Sequence, residues 1–209
     1  MSDSIQDGGS KSSNRRNTRL LKYKLSKRDP ELVAEYVVQL PIVPGGTKIA
    51  AQSEIHYISE TQLLVLARDS GAGHGQTDTT SKYRNADVID ISKATNVKGT
   101  SVDATGGQIA SSDGGVLVAG ITPAEYCPWL SYNNNDKLNR FGAHNGGAQD
   151  AGLLNEKWES FGLIPVDGQF AKKGDGKEYY LISFSDNDFI TQNGTYIKIR
   201  TSTLLTIKF

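Results

Sequence analysis

Ser53-Glu54-Ile55-His56-Tyr57-Ile58 and Leu63-Leu64-Val65-Leu66-Ala67-Arg68-Asp69-Ser70 are echoed, in the same order, by Trp158-Glu159-Ser160-Phe161-Gly162-Leu163-Ile164 and the run from Tyr179 to Asn187. In each copy a Glu enters an apolar strand, a turn follows, and a second apolar strand ends on an Asp, Asp69 or Asp186. The second copy is longer. Its extra residues can be placed in the hydrophilic stretch Asp167 to Lys177, where an insertion into a turn leaves the flanking strands in register. Strand pairs that recur with acids at corresponding ends are how a radially repeated β-fold sets carboxylates around one centre. The expectation is an all-β chain of β-propeller type, with repeated antiparallel blades of roughly 40–50 residues each.

Composition agrees with many strands joined by turns. Hydrophobic residues make up 37% of the 209, glycine is abundant at 22, and Asn, Asp, Ser and Thr crowd the gaps between short apolar runs. Strands are expected at Thr18 to Leu25, Leu32 to Leu40, Ile49 to Ile58, Gln62 to Arg68, Asp87 to Ile91, Gly115 to Ile121, Trp158 to Val166, Glu178 to Ser185 and, in two pieces, Thr195 to Phe209. The irregular stretch from Pro123 to Lys157 holds short helix candidates at Asp136 to Phe141 and Gln149 to Asn155. Residues 1–17 read as a polar lead-in and 18–209 as one domain with no internal linker.

Basic and acidic residues balance at 23 each, so no global field steers the chain toward nucleic acid or an anionic membrane. The local basic cluster, Lys11 to Arg28, reads as solvated charge blunting an edge strand. No apolar run approaches the 18 residues of a membrane span, and the first ten residues lack the apolar core of a signal peptide. The single cysteine, Cys127, excludes an internal disulfide and a multi-thiolate zinc site; its apolar surroundings predict a buried thiol. The three histidines, His56, His74 and His144, match no zinc spacing, and no Gly-x-Ser-x-Gly elbow is present.

Candidate chemistry gathers on acids at strand ends. Glu54, Asp69, Glu159 and Asp186, with Asp188 beside the last, can converge on one rim, where a hard cation such as calcium relieves their repulsion and activates water. The competing reading makes them corner staples that accept hydrogen bonds from turn N–H groups. The loop from Arg68 to Gly75 combines a guanidinium fork suited to phosphate, an acid, a hydroxyl, three glycines and His74, a proton shuttle or an ordinary exposed loop histidine. Tyr126, Trp129, Tyr132, Trp158 and Phe161 are expected in the core, with a ligand-stacking platform as the alternative.

Several strings carry a wider resemblance. They are Gln6 to Ser10, Ala51 to His56, Leu64 to Gly75, Ile121 to Pro128, Leu154 to Ser160 and Ser183 to Phe189. Over about Gln6 to Thr191 the chain resembles the fungal branch of the phytase-like family, also called the esterase-like activity of phytase domain. The resemblance implies a larger exported β-propeller protein with phosphoester hydrolase activity toward a small phosphorylated or ester substrate. It carries the family's acids onto Glu54, Asp69, Glu159, Asp186 and Asp188, with Arg68 and His74 as loop neighbours. It covers only the C-terminal part of such proteins, and the tail from Tyr196 to Phe209 departs from the family's ending. An incomplete propeller and a fragment without activity of its own are the expectations that follow from those departures; the rival expectation is a non-catalytic interaction or ligand-binding module whose acids act as corner staples.

Overall fold

A computed structural model describes residues 15–26, 29–111, 115–166, 178–186 and 205–208, the last as backbone. Nine strands are described: β1 (Asn17–Lys24), β2 (Glu31–Gln39), β3 (Ala51–Tyr57), β4 (Gln62–Arg68), β5 (Arg84–Asp90), β6 (Glu125–Ser131), β7 (Trp158–Pro165), β8 (Glu178–Ser185) and β9 (Leu205–Lys208). They form three sheets in chain order, β1-β2, β3-β4-β5-β6 and β7-β8-β9. Among the described residues, helix is confined to one turn, α1 (Asn135–Leu138), capped by the Asn134 side chain and continued by a 3-10 turn over Asn139–Phe141. The fold is therefore all-β, with antiparallel pairing in β1-β2 and β7-β8-β9.

The chain divides into two compact units, Met1–Ala51 with Val88–Cys127 and Gln52–Asp87 with Pro128–Phe209. In the first, β1 and β2 pair from Asn17↔Gln39 to Lys24↔Glu31, with an irregularity at Lys22/Tyr23. The segment after β5 lies on β2, since Val97 N–H donates to Glu35 O and Ala124 N–H to Val37 O, both at 2.8 Å. This closes a core of Val37, Val97 and Ile109, with Val102, Leu117 and Ile121 packed against it. Arg19, ion-paired with the buried Glu35, also donates to Val102 O at 2.9 Å.

In the second unit, Leu64-Val65-Leu66-Ala67 of β4 is buried on both faces, as an unbroken apolar run in a central strand requires. β4 packs against β7. Tyr132 stacks on Trp158 with ring centroids 4.4 Å apart, and its hydroxyl hydrogen-bonds Ser183 Oγ at 2.5 Å.

Four expectations are corrected. Gly115 to Ile121 is not a strand; it makes one isolated bridge, Ala110↔Leu117, because Gly115 and Gly120 turn to φ 64° and 88°. The run from Gln149 to Asn155 is turns, with Leu153 bridged to His144. β6 was concealed by Pro128, which a strand tolerates at a sheet edge, where β6 lies. On that edge Cys127 is exposed rather than buried, as is Trp129, whereas Tyr132, Trp158 and Phe161 are core residues. The expected strand pieces across 195–204, and the lead-in up to residue 14, lie outside the described residues.

Ile109→Ala is expected to cost about 2–5 kcal/mol in urea unfolding, as for other fully buried large-to-small changes. A loss below about 1 kcal/mol would remove Ile109 from the core of its unit.

Candidate functional site

The start of β7 organises the site. Trp158 pairs with Ser185 and Ser160 with Phe184, so Glu159 falls at a register shift, the extra residue of a bulge. A bulge re-aims a side chain out of the strand's alternation. Glu159 Oε1 accepts from Arg68 Nη2 at 2.7 Å, across 91 positions of sequence. Arg68 closes β4, with its side chain 11% exposed against 37% for Glu159. Beside this pair, Ser53 Oγ of β3 donates to Trp158 O and Asp186 N–H donates to Lys157 O, each at 2.6 Å. These bonds bring the backbone at Glu54, which follows Ser53, and at Asp186 alongside the start of β7.

Asp69 has a structural part. Its Oδ1 accepts from Ser81 Oγ at 2.5 Å, its Oδ2 from Lys82 N–H at 2.7 Å, and its own N–H donates to Tyr83 O at 2.8 Å. It thereby staples the loop between β4 and β5. His74, in that loop, is buried rather than exposed; its N–H donates to Leu154 O at 3.1 Å, and its ring has no hydrogen bond among the described residues. Asp186 is exposed, and Asp188 lies outside the described residues. Among the described residues no three His, Cys, Asp or Glu side chains gather closely enough to hold a metal ion. Calcium takes six to eight oxygens, so the described acids do not make a calcium cage by themselves.

The structure adds a residue the sequence reading passed over. Arg84, the first residue of β5, is fully buried. Its Nη2 donates to Ala72 O at 2.8 Å and its Nη1 to Asn145 Oδ1 at 3.3 Å, while its Nε has no partner among the described residues. Burial lowers its pKa to about 10, opposed by Asp69 and Glu156 and reinforced by the nearby Arg68 cation. The guanidinium is still charged at neutral pH. Glu156 is itself buried and accepts from Gln76 Nε2 at 3.1 Å. Asn145 and Asn133 converge on Ser81, donating to its carbonyl at 2.9 and 3.1 Å. Arg68 Nε and Asn133 Oδ1 are also buried without a partner among the described residues. Buried orphans of this kind cost about 1–3 kcal/mol each and are satisfied by ordered water or a polar ligand. Arg84 stands ahead of the strand expected from Asp87, and asparagines in a glycine-broken loop read as turn formers, so neither announced this network.

Chemically, the loops offer two guanidinium groups among carboxylates. The fork that Arg68 turns to the Glu159 carboxylate suits a phosphate equally well.

Gly73 shows how tightly the loop is packed. With φ at +119°, an added Cβ would lie 2.5 Å from Arg84 Nη2 and 2.9 Å from Leu154 O, whereas Gly71, at φ +81°, has open space. Gly71→Ala is expected to lose only the left-handed backbone preference, about 1–2 kcal/mol, and Gly73→Ala distinctly more in urea unfolding. Equal losses would contradict the close approach to Arg84.

No family model matches the chain, and no solved structure matches it. A protein of Arthroderma benhamiae described as an uncharacterized secreted protein is 48% identical over 199 residues, covering 90% of this chain and 39% of the relative. The chain thus spans about two fifths of the length of a secreted fungal relative.

Proposed function

We propose that this chain is part of a longer, exported fungal protein of the phytase-like kind, and that its loops at the start of β7 belong to a phosphoester hydrolase site. The observation that carries the reading is the Arg68–Glu159 pair, which joins the ends of two hairpins that echo each other in sequence. Arg68 binds the phosphate in place of Glu159, Glu54 and Asp186 position the attacking water, and His74 assists proton transfer. A calcium ion at this rim would draw on Glu54, Glu159, Asp186 and Asp188 and would polarise the phosphoryl oxygen.

A propeller architecture is part of the same proposal. Successive sheets follow chain order, as blades do. The side of β7-β8 opposite Phe161 and Leu181 carries the exposed Ile164 and Phe184, the kind of apolar face that a further blade covers.

A second reading has its own support. Both oxygens of Asp69 are engaged as a corner staple, which suits a non-catalytic module that binds a ligand or partner without turnover.

Hydrolysis of a phosphomonoester and a carboxylester, measured on the longer protein that carries this chain, separates the two readings. Catalysis predicts turnover that Arg68→Ala lowers by about 100-fold, the scale for removing one transition-state donor. Folded protein with no turnover of either ester, or with turnover indifferent to Arg68→Ala, rejects catalysis at this site. Calorimetric titration of this chain with calcium tests whether a cation joins the site: saturable uptake abolished by Asp186→Asn supports it, and no uptake rejects it for this chain.

A further inference from the structure

The loop from Gly142 to Leu154 is closed at its neck by one histidine. His144 N–H donates to Gly152 O at 2.9 Å and Leu154 N–H returns to His144 O at 3.0 Å. The imidazole lies between two acceptors, Gly146 O at 2.7 Å from Nδ1 and Asp150 Oδ1 at 2.9 Å from Nε2. Asp150 Oδ1 also accepts from Gly152 N–H at 2.7 Å. The neck has little slack: a Cβ on Gly152 would stand 2.8 Å from Gly142 O and 3.0 Å from His144 Cδ2.

The same loop holds the groups of the candidate site. Its Asn145 accepts from Arg84 and from Ser81 N–H, and its Leu154 O accepts from His74 N–H. Gln149 ties it to the loop before β5, accepting from Gly75 N–H and donating to Gln76 O at 2.7 and 2.6 Å.

We propose that His144 and Asp150 form an acid-set latch: the doubly protonated imidazolium closes the 142–154 loop over the Arg84 network, and loss of one ring proton loosens it. A neutral imidazole carries one N–H, so one of the two facing oxygens then meets a lone pair instead of a donor. The proton leaves to solvent, which the exposed side of the ring admits. Charged or titratable groups near the loop are His74, Asp78, Lys82 and Arg84 in and after the loop before β5, with Asp69 and Glu156 in the Arg84 network, and Asp136, Lys137 and Arg140 around α1. Asp150 is the one hydrogen-bonded to the ring and the one whose charge acts on it. Its hydrogen bond, with that of the Gly146 carbonyl, raises the His144 pKa above its ordinary value, and the His144 and Gly152 bonds lower that of Asp150.

A raised histidine stabilises the closed loop fully below its unfolded pKa of about 6.5 and loses that contribution as pH rises through the folded value. A lowered aspartate contributes above its unfolded pKa of about 3.9 and loses that contribution as pH falls through the folded one. The latch is therefore set between about pH 4 and 6.5 and released above. It does not depend on the hydrolase reading.

NMR titration of the His144 ring, with amide exchange protection of Gly152 and Leu154 across the same pH range, tests it in the full chain. The expected result is a midpoint above about 6.5 that moves down in Asp150→Asn, with protection lost as pH rises through the wild-type midpoint. His144→Gln, which keeps a donor toward Asp150, should fold and show protection independent of pH. A wild-type midpoint at or below about 6.5, or protection in the wild type that ignores pH, overturns the latch.

Discussion

Trp158 and Glu159 tie the β7-β8 hairpin to the strands β3 and β4. The Trp158 ring stacks on Tyr132, its carbonyl accepts from Ser53 Oγ, and the next side chain, released from strand alternation by the bulge, reaches Arg68. A large stacked aromatic supplies burial, and the polar contacts beside it set the register. Without that bulge Glu159 would follow the ordinary alternation of β7 and the guanidinium of Arg68 would lose its carboxylate. The meeting of the Glu159 and Arg68 side chains goes with this local irregularity, while the Ser53 and Asp186 bonds hold the neighbouring backbone alongside.

Around it the unit carries a polar interior that a simple apolar core would not need. Arg84 is buried at the cost of desolvation and is held by a carbonyl, an asparagine and the field of Asp69 and Glu156. Replacing such a group by packed hydrocarbon is often neutral or stabilising, so its presence calls for a reason beyond stability. The network makes the loop before β5 and the 142–154 loop interdependent, since Asn145, Ser81, Asp69 and Arg84 satisfy one another across both. A site built from these loops is positioned by their mutual hydrogen bonds, and the state of His144 bears on all of them.

The sequence disclosed the parts governed by periodicity. β4 and β8 occur at the bounds their apolar runs indicate, and the acids Asp69 and Asp186 follow those strands directly. It did not disclose what depends on tertiary closure. Glu159 was legible as a candidate acid, but its pairing with Arg68 was not, because a bulge leaves no compositional mark. Arg84 drew no notice because its partners Ala72 and Asn145 are set by the fold and not by any local pattern. The apolar string around Cys127 suggested interior, whereas β6 is an edge strand and leaves Cys127 and Trp129 exposed. His74 misled in the opposite sense, a loop residue that composition alone would place in water and that the fold buries.

A double-mutant cycle on Arg68 and Glu159, read as unfolding free energy for Arg68→Ala, Glu159→Ala and the pair, tests the convergence of the two hairpin ends most directly. With Glu159 37% exposed, solvent screening discounts the bond. The account predicts a favourable coupling of about 0.5–1 kcal/mol. Strict additivity, within about 0.3 kcal/mol, would contradict an energetic link between the two hairpin ends.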